Sequence, residues 1–478
     1  VGGAVNIITA KPDTAEFSAD VRAQVGNLGA QLLSGHVNVP ISDQLALRLS
    51  GQLRQNDGFA ENVYTGRDLH NIDSTQFRAS LLYEGDNDFQ ARLTFEYMED
   101  EGNGTCAIGE GGNPWSVARD FVGISDIRKC APEPVQYSII PGDSLQFYER
   151  EATSITLRLE KGFENTQLIS ITSYRDGDGS SQYSQTGLGP DAPGVTEFVV
   201  SNPPTNPLWV PLAFAFDFPV RESEDLSQFT QEFRMVSDNP DSALDYIAGV
   251  YYQEDEVDKN DLFWSEILLG VPSLNGESEW FNKATTESWA VFGQVGYQIT
   301  DNLKFTLGAR YTEDETDGRV RGLVRALGDK FNPNDPVPLT PLNGEPDGMG
   351  GINFYPLGGG FDTPYGESWD ELTFSGILEY SISDDVMVYG NVSQGYKSGG
   401  FQDTPSNTPG ATTPYDPETV LSYELGLKSE FMDRRLRVNG AIFMMDYENL
   451  QVEFTNDQCL CNIVSNASDA KIQGLEVE

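Results

Sequence analysis

The sequence is short of basic residues and histidine, and these shortages exclude several classes of function. Its 478 residues include 30 lysines and arginines against 74 aspartates and glutamates, a net charge of −44, so the phosphates of a nucleic acid would be repelled. The two histidines, His36 and His70, are too few for a zinc site. No nucleophile–histidine–acid set or catalytic carboxylate pair is recognisable. We therefore expect no nucleic-acid partner, no metal, no cofactor and no catalysis.

Long apolar runs are also missing, since no stretch approaches the roughly 18 to 20 residues of a transmembrane helix. This excludes a helical membrane protein. Apolar and polar residues alternate instead: in residues 89–97 one face carries Phe89, Ala91, Leu93, Phe95 and Tyr97, and the other carries Gln90, Arg92, Thr94 and Glu96. Residues 303–311 repeat the pattern. A period of two is typical of amphipathic β-strands, so the sequence predicts an all-β fold.

The connections between these strands are of two kinds. Tight turns begin near residues 40, 84, 161, 237, 299, 381 and 431, whereas long polar loops cover 57–72, 100–149, 177–222, 256–284, 315–367, 398–416 and 450–465. Short turns at one end and long loops at the other are typical of a transmembrane antiparallel β-barrel, and less so of a soluble sandwich. We predict about sixteen strands from residue 15 onward.

Tyrosines mark both boundaries of the predicted membrane band. Tyr83, Tyr297 and Tyr380 precede tight turns, and Tyr97, Tyr174, Tyr252 and Tyr311 precede long loops, as two aromatic girdles would. The motif Tyr-x-Glu-Asp-Glu occurs at 97, 252 and 311, each time at the end of nine residues that would cross the bilayer. Its outward carboxylates, Glu99, Glu254 and Glu313, either meet lipopolysaccharide through divalent cations or are simply solvated charge.

Four segments carry a resemblance to a known family. They are VGGAVNIITAKP at the start, NVSQGYKSGGF at 391–401, YDPETVLSYELGLKSEF at 415–431 and SDAKIQGLEVE at the end. Together they resemble the TonB-dependent outer-membrane receptors of bacteria. The resemblance implies that residues 1–12 are the C-terminal end of a plug domain. It also implies that residues 13–478 are a barrel incomplete at its C-terminus, with about 16 of an expected 22 strands.

The resemblance also implies a function. Such receptors import a scarce ligand, most often a ferric siderophore, with energy from the TonB complex of the inner membrane. Cobalamin or an oligosaccharide remains an alternative cargo. A passive porin, whose barrel has 16 to 18 strands, is the alternative from a different class.

Seven arginines fall on the polar face of the predicted strands, which would line the lumen: Arg48, Arg78, Arg92, Arg158, Arg234, Arg310 and Arg437. They either guide an anionic ferric chelate or form salt bridges within the wall and with a plug. Aromatic residues in two of the longest loops, 177–222 and 315–367, are expected to capture the cargo: Trp209, Phe214 and Phe216 in one, and Phe354 and Tyr355 in the other.

Two further expectations concern the loops. Cys106 and Cys130 lie in one Gly/Asn/Pro-rich segment on the predicted exterior, which predicts a disulfide between them. The stretch YRDGDGSS at 174–181 carries Asp176 and Asp178 at the spacing of a calcium loop but lacks its closing glutamate, so a plain turn is favoured.

Overall fold

The computed structural model describes residues 8–62, 68–104, 129–130, 147–184, 216–217, 219–267, 276–326, 359–405, 408–456 and 461–478. Among these residues, one antiparallel sheet dominates and contains sixteen long strands, labelled here β1 to β16. Their bounds are Ser18–Val25, Gln31–Ser42, Leu45–Asn56, Ile72–Gly85, Phe89–Gly102, Phe147–Gly162, Thr166–Ser184, Pro219–Ser237, Leu244–Ile267, Gly276–Thr300, Leu303–Ala326, Gly359–Ser383, Val386–Lys397, Glu418–Phe431, Leu436–Asn456 and Cys461–Val477. Within the described part of the chain, no helix is long and apolar enough to cross a membrane.

Each strand pairs antiparallel with the next one in the sequence, from β1 with β2 to β15 with β16. This up-and-down order is that of a membrane β-barrel wall, and the predicted all-β fold of about sixteen strands is confirmed. A two-residue strand, Phe216–Asp217, adds to the sheet beside the end of β9.

The seven predicted tight turns all join neighbouring strands, and three of them share one chemistry. The sequences Ser-Asp-Gln at 42–44, Thr-Asp-Asn at 300–302 and Ser-Asp-Asp at 383–385 each close a hairpin. In each, the first hydroxyl accepts a hydrogen bond from the amide two residues later, at 3.3, 3.4 and 3.4 Å. Such side-chain bonds stabilise a turn locally, and they make these turns readable from sequence.

The alternation predicted from sequence separates two faces. Leu93, Phe95, Phe305 and Leu307 lie on the outer face, and large fractions of their side chains are exposed. Exposed apolar side chains are expected there, because lipid covers this face in the membrane. The opposite face is polar and carries serines, threonines and paired charges such as Ser80 with Thr94. Because strand pairing places directly opposed residues on the same face, one apolar belt runs across the whole sheet.

The predicted loop boundaries are wrong on the outer side. Strands β7 to β12 contain 19 to 25 residues each, so they continue well into the segments 177–222, 256–284 and 315–367. The motif Tyr-x-Glu-Asp-Glu lies well inside β9 and β11 rather than at their ends, whereas in β5 it ends one residue before the strand does, at Gly102. Their nine-residue crossings do begin at Phe89, Leu244 and Leu303, as predicted. Only the assumption that a strand ends where the membrane ends fails.

The stretch 174–181 is likewise neither a turn nor a calcium loop. It is the middle of β7, paired with β6 on one side and β8 on the other. Gly177 permits this, because a Cβ there would lie 2.8 Å from the carbonyl oxygen of Glu151. Gly177 therefore serves close contact between strands instead of a turn.

The segment before β1 is fixed by one buried side chain. Asn38, on the polar face of β2, is fully buried. Its Nδ2 donates to the carbonyls of Asp13 and Glu16, both at 2.8 Å, and its Oδ1 accepts from the amide of Asp13 at 2.9 Å. Thr9 and Ala10 consequently lie against the polar face of the wall, and residues 8–12 form no strand.

Candidate ligand-binding site in the lumen

The strand register places all seven predicted arginines on the polar face, but in different surroundings. Arg437 lies at the turn end of β15, where its Nη2 donates to Glu430 at 2.6 Å. Arg158 and Arg234 each form an ion pair two residues along their own strand, with Glu160 and Glu232. These three arginines are held by carboxylates of the wall itself, which fits the salt-bridge alternative for them.

Two of the other arginines line a common cavity of about 850 Å³ on the polar face. Arg48 and Arg78 lie there beside a third guanidinium, that of Arg175, which the sequence reasoning did not single out. Two carboxylates, Asp20 and Glu96, share the cavity, and Arg78 Nε donates to Glu96 Oε1 at 2.6 Å. Three guanidinium groups against two carboxylates make this cavity more cationic than a chain of net charge −44 would suggest.

The remaining two arginines have other neighbours. The Arg310 guanidinium lies over the rings of Tyr251 and Phe292, at 5.6 and 5.8 Å from their centroids, and donates to the Thr312 hydroxyl at 3.0 Å. Stacking of this kind orients a guanidinium without neutralising it. Arg92 lies opposite Arg158 in the register, so two cations face each other there.

Nearer the exterior, a segment predicted to be an outer loop is folded inward. Residues 398–416, described except for 406–407 and called here the inner loop, connect β13 to β14 and contain the short helix α1, Thr408–Thr412. On one side, Lys259 of β9 donates to Asp403 at 2.7 Å, and the Trp280 indole of β10 donates to the Pro405 carbonyl at 2.9 Å.

On the other side, the inner loop is attached to β16. Gln402 exchanges two hydrogen bonds with the backbone of Val464, at 2.7 and 2.8 Å. The inner loop therefore bridges β9 and β10 to β16 across the polar side of the sheet.

Aromatic rings form the contact between the inner loop and the wall. The Phe401 ring lies 4.5 Å from that of Tyr365 and 6.1 Å from that of Trp369, centroid to centroid. A buried cluster of Val320, Phe361, Tyr365 and Ala411 adjoins it. The Tyr365 hydroxyl donates to Asn282 at 2.6 Å, and burial raises the pKa of Tyr365 to about 12, so it remains a neutral donor.

The glycine pair before Phe401 makes this packing possible. A Cβ on Gly399 would lie 2.4 Å from the Tyr415 carbonyl oxygen and 2.5 Å from the Trp369 indole. A Cβ on Gly400 would lie 2.4 Å from the Tyr415 hydroxyl oxygen. The motif KSGGF, which carried part of the family resemblance, thus has a local steric reason.

A buried charge cluster lies beneath the inner loop, outside the membrane-spanning part of β9. Asp261 is only 2% exposed, and burial raises its pKa to about 6, although Lys259 at 3.4 Å acts in the opposite sense. Burial lowers the pKa of Lys259, but the hydrogen bond that it donates to Asp403 and the negative charges of Asp403 and Asp261 raise that pKa by more. The Tyr183 hydroxyl donates to Glu222 at 3.2 Å nearby.

Two of the predicted site residues, Phe216 and Cys130, belong to short described strands. Trp209, Phe214, Phe354, Tyr355 and Cys106 fall outside the described residues, so their role in cargo capture and the Cys106–Cys130 disulfide stay predictions. The backbone of Phe216 pairs with Ile267. The backbone of Cys130 pairs in parallel with Asn62 in a small separate sheet.

Sequence reasoning missed the inner loop and its aromatic partners. One signal was present: Phe361, Tyr365 and Trp369 keep the inner phase of β12 in a stretch that had been assigned to a loop. Continued alternation of large aromatics beyond the apolar belt predicts a strand that packs against something on its inner side.

Comparison with known proteins places these features in a family. Residues 13–478 match the family described as TonB dependent receptor-like, beta-barrel. The pesticin receptor of Yersinia pestis is 23% identical over 254 residues, which are 53% of this chain and 31% of that protein.

Two solved structures share the fold. The ferric yersiniabactin uptake receptor from Yersinia pestis superposes with a TM-score of 0.70 at 18% identity, covering 98% of this chain and 59% of that one. The siderophore receptor from Acinetobacter baumannii gives 0.67 at 13% identity, covering 98% and 62%. This chain thus spans about three fifths of each. It belongs to the TonB-dependent receptor family, and its sheet is the outer-membrane β-barrel of that family.

Proposed function

We propose that the chain is the barrel of a receptor that imports a ferric siderophore across the outer membrane, powered by the TonB complex. The cavity that contains Arg48, Arg78 and Arg175 carries this proposal. An excess of guanidinium groups in a lumen cavity suits an anionic chelate, and it is unexpected in so acidic a chain. The printed functions of the similar structures, ferric yersiniabactin uptake and siderophore reception, point the same way.

In this proposal the protein acts as a carrier and performs no chemistry on its cargo. The family consists of transport receptors. Residues 1–12 are then the end of a plug domain, and the contact of Thr9 and Ala10 with the polar face supports a position inside the barrel. Cargo is captured by the outer loops that contain Trp209, Phe214, Phe216, Phe354 and Tyr355. It then meets the inner loop and the aromatic residues that pack against it.

The outer face is proposed to contact lipopolysaccharide above the tyrosine girdle. The hydroxyls of Tyr97 and Tyr252 donate to Glu99 and Glu254 two residues later, at 3.2 and 2.8 Å. These pairs lie where the apolar belt ends, at the level of the outer-leaflet headgroups.

Uptake measurements on the full-length receptor test the proposal. Iron-starved cells that lack their own receptors should accumulate radiolabelled ferric siderophore when they express this protein. Accumulation should stop when TonB is deleted or the proton-motive force is collapsed. Uptake that persists without TonB, together with a steady conductance in planar bilayers, would establish a porin. Labelled cobalamin and oligosaccharides, tested in parallel, distinguish the cargo alternatives.

A second measurement tests the role of the cavity arginines. The double variant Arg48→Gln/Arg78→Gln should weaken binding of an anionic ferric chelate by about tenfold, because it removes roughly 1.4 kcal/mol of charge attraction. Arg437→Gln is the matched control, since Arg437 pairs with Glu430 at the rim of the wall. Equal affinity in both variants would assign the cavity arginines to wall and plug salt bridges alone.

A further inference from the structure

A second cavity, of about 560 Å³, lies on the lipid-facing side of the wall and has no part in the proposed transport path. Its lining includes Leu159, Leu168, Phe233, Met235 and Val250, all with outward phase. The lining residues of outward phase are apolar except for Ser170 and Lys161. Ligand pockets typically occupy about 300 to 1,000 Å³, so the cavity is of a size to hold part of a small molecule.

Strand register explains why a groove forms here. One row of directly opposed residues crosses five strands in the order Lys161, Leu168, Met235, Ala248 and Gly293. Ala248 and Gly293 have little or no side chain, so they leave the outer surface low between bulkier neighbours, and the row continues to Ala309 on β11. A Cβ on Gly293 would meet only one atom, the Ile247 carbonyl oxygen at 3.6 Å, so the space beside it is open.

The other end of the same row carries a charge. Lys161 is the second-last residue of β6, next to the tight turn, and it lines the groove. By strand phase, the last two lipid-facing positions at the turn ends of the other fifteen described strands are all uncharged. Among the described strands, β6 is therefore the one with a charged residue at this lipid-facing position.

The immediate surroundings of Lys161 leave its charge uncompensated. Its ammonium contacts the carbonyl oxygen of Asn87 and lies 5.9 Å from the Phe163 ring centroid. No described carboxylate forms an ion pair with it. Because the turns of such barrels face the periplasm, Lys161 lies at the headgroup level of the inner leaflet.

We propose that this groove is a binding site for one anionic phospholipid of the periplasmic leaflet. The phosphate contacts the Lys161 ammonium, and one acyl chain lies along Leu168 and Met235 toward Ala248. Burial of the acyl chain gives little selectivity, because the tails of other lipids compete equally for any lipid-facing surface. Selectivity therefore rests on the shape of the groove at Ala248 and on the charge at Lys161.

Native mass spectrometry of the full-length receptor in mild detergent tests the site. Phosphatidylglycerol added at low molar excess should give one retained lipid, with a clear preference over phosphatidylethanolamine. Ala248→Trp, which fills the groove, should reduce retention by about fivefold, and Lys161→Gln should remove the preference between the two lipids. Ala79→Trp is the matched control, because Ala79 also faces lipid but lies on β4, away from the groove.

The outcomes separate clearly. Undiminished retention in Ala248→Trp, or an unchanged phosphatidylglycerol preference in Lys161→Gln, overturns the proposal. Lys161→Gln alters one surface side chain, so it decides the question even if Ala248→Trp does not fold. Siderophore uptake should be unchanged in Lys161→Gln, which keeps the result independent of the proposed function.

Discussion

At the scale of single residues, Asp261 should make the attachment of the inner loop depend on pH. Burial first, then Asp403 and Glu222, raise its pKa from 3.8 to about 6, while Lys259 opposes the shift. The folded form holds this proton more tightly than the unfolded form does. Its contribution to stability is therefore full below pH 3.8 and is lost as the pH rises through about 6, a total of roughly 3 kcal/mol.

Hydrogen exchange of the inner-loop amides measures this effect. After correction for intrinsic exchange rates, protection should fall between about pH 4 and pH 6 in the native protein. Asp261→Asn, which is neutral at every pH, should show a flat profile over the same window. A pH dependence retained in Asp261→Asn would show that another group is responsible.

Gly399 gives a second prediction at this scale. Gly399→Ala places a methyl group against the Tyr415 carbonyl and the Trp369 indole, so the inner loop should be displaced at a cost of about 1 to 3 kcal/mol. Limited proteolysis of the folded receptor should then cleave the inner loop faster. Gly376→Ala is the control, because a Cβ there meets no atom within 4 Å. Equal cleavage rates in the two variants would contradict the steric argument.

At the scale of strands and loops, strand length decides which part of the predicted loop 315–367 can be deleted without loss of the barrel wall. Residues 315–326 and 359–367 are paired strand, and Val324 lies opposite Gly359. Replacing only residues 327–358 with a short Gly/Ser turn should leave barrel assembly intact, because no described ladder hydrogen bond is lost. Deleting 315–367 should impair assembly, because residues 315–326 are the hydrogen-bonded partners of residues 276–287 in β10. Heat-modifiable migration of the two variants on gels measures folding.

The same strands explain which parts of the fold could be read from the sequence. Turn chemistry defined the starts of the strands, because Ser/Thr-Asp sequences and the first apolar residue, as at Leu303, are local signals. The outer ends were missed because above the membrane the outward positions become acidic, as at Glu313 and Glu315, and the alternation of apolar with polar residues disappears. Inner-loop packing depends on contacts between distant strands, which no local pattern encodes.

The lumen arginines show the same limit. Strand phase was sufficient to place Arg78 and Arg310 on the inner face. It could not distinguish their partners, because a carboxylate for one and aromatic rings for the other depend on the register between strands. Arg175 was missed for a different reason: it lay in a stretch interpreted as a turn.

At the scale of the whole molecule, the net charge of −44 should make stability depend on salt. Like charges lie directly opposite each other above the girdle, as Glu99 does with Glu151 and Glu254 with Glu287. Raising sodium chloride from about 10 to 150 mM shortens the Debye length from roughly 30 to 8 Å and should raise the melting temperature in neutral detergent. Choline chloride should act equally. An effect confined to one cation would indicate specific binding instead of screening.

The unequal strand lengths have a consequence for how the protein meets the cell's surroundings. Strands β9 to β12 have 24 or 25 residues, whereas β2, β3 and β13 have 12. With a rise of about 3.3 Å per residue and a tilt near 40°, the long strands reach roughly 60 Å along the membrane normal, and the short ones about 30 Å. Among the described strands, the wall therefore rises well above the bilayer at β9 to β12 and ends near the bilayer surface at β2, β3 and β13. Antibodies against the described strands should accordingly reach the outer ends of β9 to β12 on intact cells, while β2, β3 and β13 stay sheltered among the sugars of neighbouring glycolipids.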